Sequence, residues 1–300
     1  MATDNGFSVY TKRAKVKFIQ APLIDALISV DSKLKPQYLQ TKYCSQNIKQ
    51  EGNTFTTLYC GKRWCRICNR IRTAKLMNGY KQEIKAMREP VFLTLTFPNV
   101  KADDLKPAIR QMIKDFRLIT DLRRKQGKPK IKGIRKLECT YNPTRDDYHP
   151  HYHFIIDGRE NAEYIRREWL LRWPAAVEEA QDIRPAKDPL ELFKYFAKLT
   201  SKTGAGAKAE AAFPFQLDVI FQAIQGFRII QPFGGVKMVN DEVEQLESIE
   251  IEEAEPQQAL YKWHFNNWVN FDTGEMLSNF EPTPKHEKYR KKIIFVPLRT

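Results

Sequence analysis

The chain has little cysteine, five residues in 300, and nowhere a run approaching the ~20 apolar residues that a membrane helix needs. Its first nineteen residues carry Lys and Arg throughout and no apolar core segment, so no secretory signal is expected there. Five cysteines make no disulfide framework. Four of them, Cys44, Cys60, Cys65 and Cys68, crowd together, which points to a reducing compartment, the cytoplasm, and to a metal. Internal repeats are absent. Membrane, secreted and fibrous classes are excluded. What is there suits a folded chain: apolar residues make up 42% and aromatics 12%, enough to bury a core of 200 or more residues with appendages.

Charge is unevenly spread. Fifty Lys and Arg stand against 36 Asp and Glu, a net +14, yet Asp241 to Glu255 holds eight acids and no base. Elsewhere the balance is 50 bases to 28 acids. A body that basic favours a polyanionic partner, and nucleic acid is the commonest one.

Three stretches follow from the pattern. Residues 1–88 carry the cysteines and a basic helical segment, Asn69 to Met87. Residues 89–203 open with the strand-like Val91-Phe-Leu-Thr-Leu-Thr-Phe97, ended by Pro98. A helix follows, with Ile109, Met112, Ile113 and Phe116 at helical spacing behind Asp103 and Asp104. Gly133 to Tyr141 and His149 to Ile156 read as an antiparallel hairpin across the turn-rich 142–147. Helical patterns over 161–173 and 189–201 complete this stretch. Residues 204–300 begin in a small-residue linker and hold the apolar 213–230, the acidic run as a solvated loop, and an aromatic region. There Trp263, Trp268 and Asp272-Thr-Gly274 suggest a further hairpin, with its aromatics in core or cross-strand pairs.

Three of five histidines sit in His149-Pro-His-Tyr-His153. On a strand His149, His151 and His153 share one face, with Tyr152, Phe154 and Ile156 on the other. Converging imidazoles make a metal site, because neutral imidazole is the commonest protein metal ligand. With the turn near Arg145, Glu138 of the partner strand is expected opposite the histidine strand. A carboxylate added to imidazoles suits Mg²⁺ or Mn²⁺.

Asp188-Pro189 marks a helix start on which Glu191, Tyr195, Lys198 and Lys202 share a face. A phenol between a carboxylate and a lysine has what attack on a phosphodiester needs: lysine steadies phenolate or phosphate charge, and the carboxylate can activate water. The spacing of Cys44, Cys60, Cys65 and Cys68 is compatible with a tetrahedral Zn²⁺ site, Cys44 being the least secure ligand. Arg63, Arg66, Arg70 and Arg72 interleave with Trp64 there, so this knuckle could contact phosphate or stack on bases.

Together these motifs resemble the HUH endonucleases. His151-Tyr-His153 is similar to their metal motif, Leu93-Thr-Leu-Thr96 to their upstream strand motif, and Tyr195-Phe-Ala-Lys198 to the Tyr-x-x-Lys of their nucleophile helix. Within the superfamily the chain resembles the replication initiators of small rolling-circle plasmids, where one tyrosine follows a glutamate by four residues, as Tyr195 follows Glu191. The cadences of 135–153 and of Cys60-Gly-Lys-Arg-Trp-Cys-Arg-Ile-Cys68 also fit, and the resemblance spans about residues 44 to 235. It implies an α+β fold in which a central antiparallel sheet has helices packed on it, with the Tyr helix across the metal face. It also implies a site-specific nickase of origin DNA, single-stranded or hairpin. Tyr195 would form a 5′-phosphotyrosine link and free a 3′-OH for the host polymerase. His151, His153 and Glu138 would hold the divalent metal, with His149 a further ligand or a neighbour, and Glu191 would serve the terminating cleavage. Thr94 and Thr96 would support the site. Lacking a phosphate-loop motif, the chain would rely on a host helicase.

An HUH transposase would show the same chemistry. His149-Pro-His-Tyr-His-Phe-Ile-Ile156 also fits the pattern of histidine-triad nucleotide hydrolases, with His151 as nucleophile and no catalytic metal. A zinc-bearing DNA-binding regulator is the non-enzymatic alternative.

Overall fold

In a computed structural model that describes residues 7–188, 192–193, 199–203 and 210–296, the chain begins with helices α1 (Ser8–Ser29) and α2 (Lys35–Lys42) and strands β1 (Asn47–Gly52) and β2 (Thr54–Leu58). Helix α3 (Arg66–Lys85), strand β3 (Pro90–Thr96) and helix α4 (Ala102–Lys125) follow. The hairpin β4 (Gly133–Asn142) and β5 (Asp147–Asp157) leads to α5 (Arg159–Arg172) and β6 (Ile183–Pro185). Beyond these lie β7 (Ser201–Lys202), β8 (Glu210–Ala211), α6 (Pro214–Ala223) and β9 (Ile230–Phe233). The chain continues through β10 (Leu246–Glu250), β11 (Gln257–His264) and β12 (Asn267–Asn270) to α7 (Pro284–Arg290). Residues up to Arg72 together with Glu242–Val296 make one compact unit, and Thr73–Asp241 the other. Of the three stretches read from the sequence, 89–203 falls in the second unit with 73–88 and 210–241, while 242–296 groups with the cysteine-bearing residues.

In the second unit the sheet order is β6-β3-β5-β4-β9, all antiparallel, so the histidine strand is central. Strand alternation divides its side chains. Leu93, Leu95, Leu137, Tyr152 and Phe154 are buried on one face. Phe116 of α4 lies against Tyr152, Phe154 and Phe233 there, and Trp169 of α5 against Tyr152. The apolar positions of α4 recur every three to four residues (Leu105, Ile109, Met112, Phe116, Ile119) and all are buried, as its amphipathic sequence requires. The other face presents Thr94, Thr96, Lys136, Glu138 and the histidines. Gly133 opens β4 because nothing larger fits: a Cβ there would lie 2.5 Å from Phe233 and 2.7 Å from the Ile155 carbonyl.

The first unit holds a second antiparallel sheet, ordered β10-β2-β1-β11-β12, with Tyr10, Ala14 and Phe18 of α1 packed on Ile48, Phe55, Tyr261 and Trp268. The expected aromatic hairpin is β11–β12, with Trp263 opposite Trp268 and ring centroids 4.8 Å apart. The chain reverses twice here, at Phe265-Asn266, where Phe265 takes up the left-handed backbone (φ 54°), and again at the expected 272–274, where Gly274 (φ 77°) leads into an antiparallel bridge between Val269 and Met276. The acidic run is not wholly a loop. Its middle forms edge strand β10 on β2, and Glu247 leaves solvent to bond Arg13 and the Tyr59 hydroxyl. Among the described residues no helix is long and apolar enough to cross a membrane.

Candidate metal centre

The hairpin register places Glu138 opposite His151 and Lys136 opposite His153, while β3 brings Thr96 opposite His151 and Thr94 opposite His153. Glu138, His151 and His153 each direct a ligand atom into one spot, all within 4.8 Å of one another. Glu138 Oε2 is 3.5 Å from His151 Nε2 and 3.6 Å from His153 Nε2, and its Oε1 is 2.6 Å from Lys136 Nζ.

Tautomers follow from the partners. His151 Nδ1 is 3.0 Å from the His149 carbonyl, which can only accept, so Nδ1 carries a proton there and Nε2 is the nitrogen turned toward Glu138. His153 Nδ1 is held by the Thr94 hydroxyl at 3.1 Å, which leaves its Nε2 on the same side. Fixing the outer nitrogen so that the inner one can ligate is how histidine metal ligands are oriented. Two imidazole nitrogens and one carboxylate oxygen fit a divalent ion that keeps open positions for phosphate oxygens.

Burial pushes the Glu138 carboxyl upward, but hydrogen bonds to His151 and His153 and the Lys136 charge outweigh it and hold it well below the usual carboxylate range. His149 is not brought into this group. Its Nδ1 donates to Asn99 Oδ1 at 2.8 Å, and Asn99 in turn donates to Asp147. Burial, reinforced by the neighbouring His151, lowers its pKa to about 4, so it is neutral at pH 7. Thr96 accepts from Gln181 at 2.6 Å, a link with no local sequence signal because Gln181 lies 85 residues further on. Lys136 is likewise a site residue that no local pattern singles out. It is almost fully buried and pairs with Ile230 of β9, far along the chain.

Tyr195, Glu191 and Lys198 lie outside the described residues. The expected helix over 189–201 falls mostly there too, and its last position, Ser201, is in strand β7 with Lys202. Near this segment Phe193 is fully buried and stacks on Tyr80 of α3, ring centroids 5.4 Å apart.

In the first unit Cys44, Cys60, Cys65 and Cys68 converge, with all four sulfurs within 4.8 Å of one another. Cys44 Sγ is 3.6 Å and Cys60 Sγ 3.7 Å from Cys68 Sγ, far beyond a disulfide and near the about 3.8 Å between sulfurs held tetrahedrally around zinc. The Cys60 and Lys62 amides point at Cys44 and Cys60 sulfur. Hydrogen bonding from its neighbours holds the Cys60 thiol well below the usual range, and the same network with burial keeps Cys44 above it. Buried Lys17 completes the shell, bonding the Cys44 carbonyl and lying over the Trp263 ring. The arrangement fits a tetrathiolate metal site. Trp64 is not available to stack on bases. It is buried against Tyr38, its Nε1 bonded to Thr41, because its ring fills the core beside the cysteines. Arg72 is turned inward onto the Gly61 and Lys62 carbonyls. Arg70 and Lys202 are exposed, while Arg63 and Arg66 are half-buried.

A convergent His₂–Glu group on the sheet of one unit and a Cys₄ group in the other define a chain with two potential metal centres. Residues 52–269 match the replication protein family, and the chain belongs to that family, in keeping with its resemblance to rolling-circle plasmid initiators. It is similar to a protein Rep of Staphylococcus aureus, 38% identical over 128 residues that cover 38% of this chain and 54% of that protein. A Rep from a Bacillus species is 35% identical over 129 residues (40% and 41% of the two chains), and one from Bacillus amyloliquefaciens 34% over 148 (45% and 43%). The chain spans about half the length of the curated relatives it matches. No solved structure matches significantly.

Proposed function

We propose that the protein is a rolling-circle replication initiator that nicks and rejoins one strand of origin DNA, with residues 89–203 carrying an HUH-type endonuclease fold and 1–88 and 204–300 flanking it. The observation that carries this reading is the Glu138–His151–His153 convergence on the central hairpin of a replication-family chain. Those three residues would hold Mg²⁺ or Mn²⁺. When bound, the ion supplies Lewis-acid polarisation of the scissile phosphate.

The chain's own groups would do the rest. The Tyr195 phenol attacks phosphorus and forms an O–P bond. The bond to the 3′-oxygen breaks, giving a 3′-OH for the host polymerase and a 5′-phosphotyrosine link. Lys198 steadies the phenolate charge, and Glu191 takes the proton from water in the terminating cleavage. The Cys₄ group would hold Zn²⁺ and tie the loops of its unit together. Arg63, Arg66, Arg70 and Lys202 would bind DNA phosphate, and a host helicase would unwind the duplex.

The test is incubation with a single-stranded oligonucleotide library plus Mn²⁺, followed by sequencing of cut ends and mass spectrometry of the adduct. An adduct on Tyr195, absent in Tyr195→Phe and in EDTA, is expected. Cleavage undiminished in chelator, or an adduct on His151, would replace this reading with the histidine-triad one.

A further inference from the structure

The sheet face opposite the histidines is covered by α4, and the outward side of that helix is uncommonly charged. Its inward side is spent on Leu105, Ile109, Met112, Phe116 and Ile119. Outward, Lys106, Arg110, Lys114 and Arg117 recur at spacings of four, four and three, all exposed. At 100° per residue these four fall within about 80° of arc, and Arg124 prolongs the line, so the row runs about 27 Å along the helix. Arg124 pairs with Asp121 on the same helix at 3.3 Å. The other four have no carboxylate partner among the described residues. Asp103 and Asp104 stand at the helix start, where acids suit the helix dipole, and Asp115 is buried and accepts from Gln111.

Four like charges at adjacent positions on one helix repel each other and weaken it by a few tenths of a kcal/mol per pair. Folding alone gives no reason for such a row, whereas a polyanion laid along it would relieve the repulsion. Successive cations stand about 6 Å apart. About 27 Å of axis spans some eight base pairs at 3.4 Å each. The row has no exposed aromatic ring of the kind on which single-stranded bases stack, and Leu118 is the helix's one exposed large apolar residue. A row of regularly spaced cations with no ring to stack on fits the phosphates of a duplex.

We infer that the outer face of α4 is a sequence-independent track for duplex DNA, separate from the site of chemistry. This rests on the nickase reading for the identity of the polyanion and for nothing else. Because Phe116 packs on the Tyr152 face of β5, the track and the His₂–Glu group are on opposite sides of the sheet. It therefore engages duplex beside the nick site and not the strand being cut.

The test compares three full-length chains: wild type, a track variant (Lys106→Gln, Arg110→Gln, Lys114→Gln, Arg117→Gln) and a control variant (Lys33→Gln, Lys35→Gln, Lys285→Gln, Lys288→Gln). The control removes the same charge from exposed positions elsewhere. Gln keeps helix propensity, and circular dichroism checks the fold. Affinity for a 30-base-pair duplex of arbitrary sequence is measured against salt. The track variant should lose about three units of log–log salt slope and about a hundredfold in affinity at low salt, while the control stays near wild type. Equal behaviour of the two variants would overturn the proposal. So would a loss confined to single-stranded DNA of the same length. Failure of the nickase reading shows separately, as a wild-type chain that cuts no strand.

Discussion

Glu138 is shared between two kinds of partner: one carboxylate oxygen meets Lys136 Nζ at 2.6 Å, and the other faces the Nε2 atoms of His151 and His153 at 3.5 and 3.6 Å. Lys136 is almost fully buried. It therefore does more than decorate the strand. By occupying Oε1 it leaves one oxygen for the histidine side and anchors the carboxylate in that orientation.

Lys136→Met should accordingly cost about 3 kcal/mol, the usual penalty for stripping one partner from a buried pair. Urea unfolding in the presence of chelator measures it, and adding Glu138→Gln should recover part of the loss. Because the folded Glu138 carboxyl is held below its ordinary value of 4.5, its contribution to stability is present above about pH 4.5 and is lost as the pH falls. The Lys136→Met chain should show a shallower acid dependence. A loss under about 1 kcal/mol would mean that the pair behaves as a solvated one.

The cysteine group gives a second prediction, on composition and not on activity. Purified protein should carry about one zinc per chain, and Cys65→Ser or Cys68→Ser should bring that close to zero. Trp64, buried through Thr41 beside Cys60, is a built-in reporter. Its fluorescence should change when a strong chelator removes the metal. Full zinc content in both serine variants would disconnect these sulfurs from the metal.

Much of the second unit was legible in the sequence because its strands alternate cleanly. Val91 to Phe97, Gly133 to Tyr141 and His149 to Ile156 each read as a strand, and the hairpin register that joins Glu138 to His151 followed from the turn between them. Helix α1 was not legible. Two of its inward positions are Arg13 and Lys17, which are buried because Tyr59, Glu247 and the Cys44 carbonyl receive them, and no local pattern announces partners that far away. Strand β10 was hidden for the same reason. Its acids look solvated until Arg13 draws Glu247 inward.

Glu191→Ala tests the division of labour on the Tyr195 segment. On the proposed mechanism only the water-dependent step uses the carboxylate as base, so the variant should nick a suicide oligonucleotide at about the wild-type rate yet accumulate the phosphotyrosine adduct, an effect worth roughly 10²–10⁴-fold. Gel shift of the denatured protein reads the adduct directly. Normal turnover by this variant would remove Glu191 from the mechanism.

His149 and His151 sit two residues apart on one face of one strand, and their ring centroids are 5.2 Å apart. Sequence cannot tell ligand from neighbour in such a pair, but their partners do. His151 spends its Nδ1 proton on a backbone carbonyl and turns Nε2 to Glu138, whereas His149 is tethered through Asn99 to Asp147 and is not brought into the Glu138 group. In a Mn²⁺ titration followed by electron paramagnetic resonance, His151→Ala should lose at least about 100-fold in affinity. His149→Ala should lose about tenfold or less, the lower range for removing a group beside a ligand. Equal losses would make His149 a ligand in its own right, and the His149 tether to Asn99 would then have to break when the ion binds.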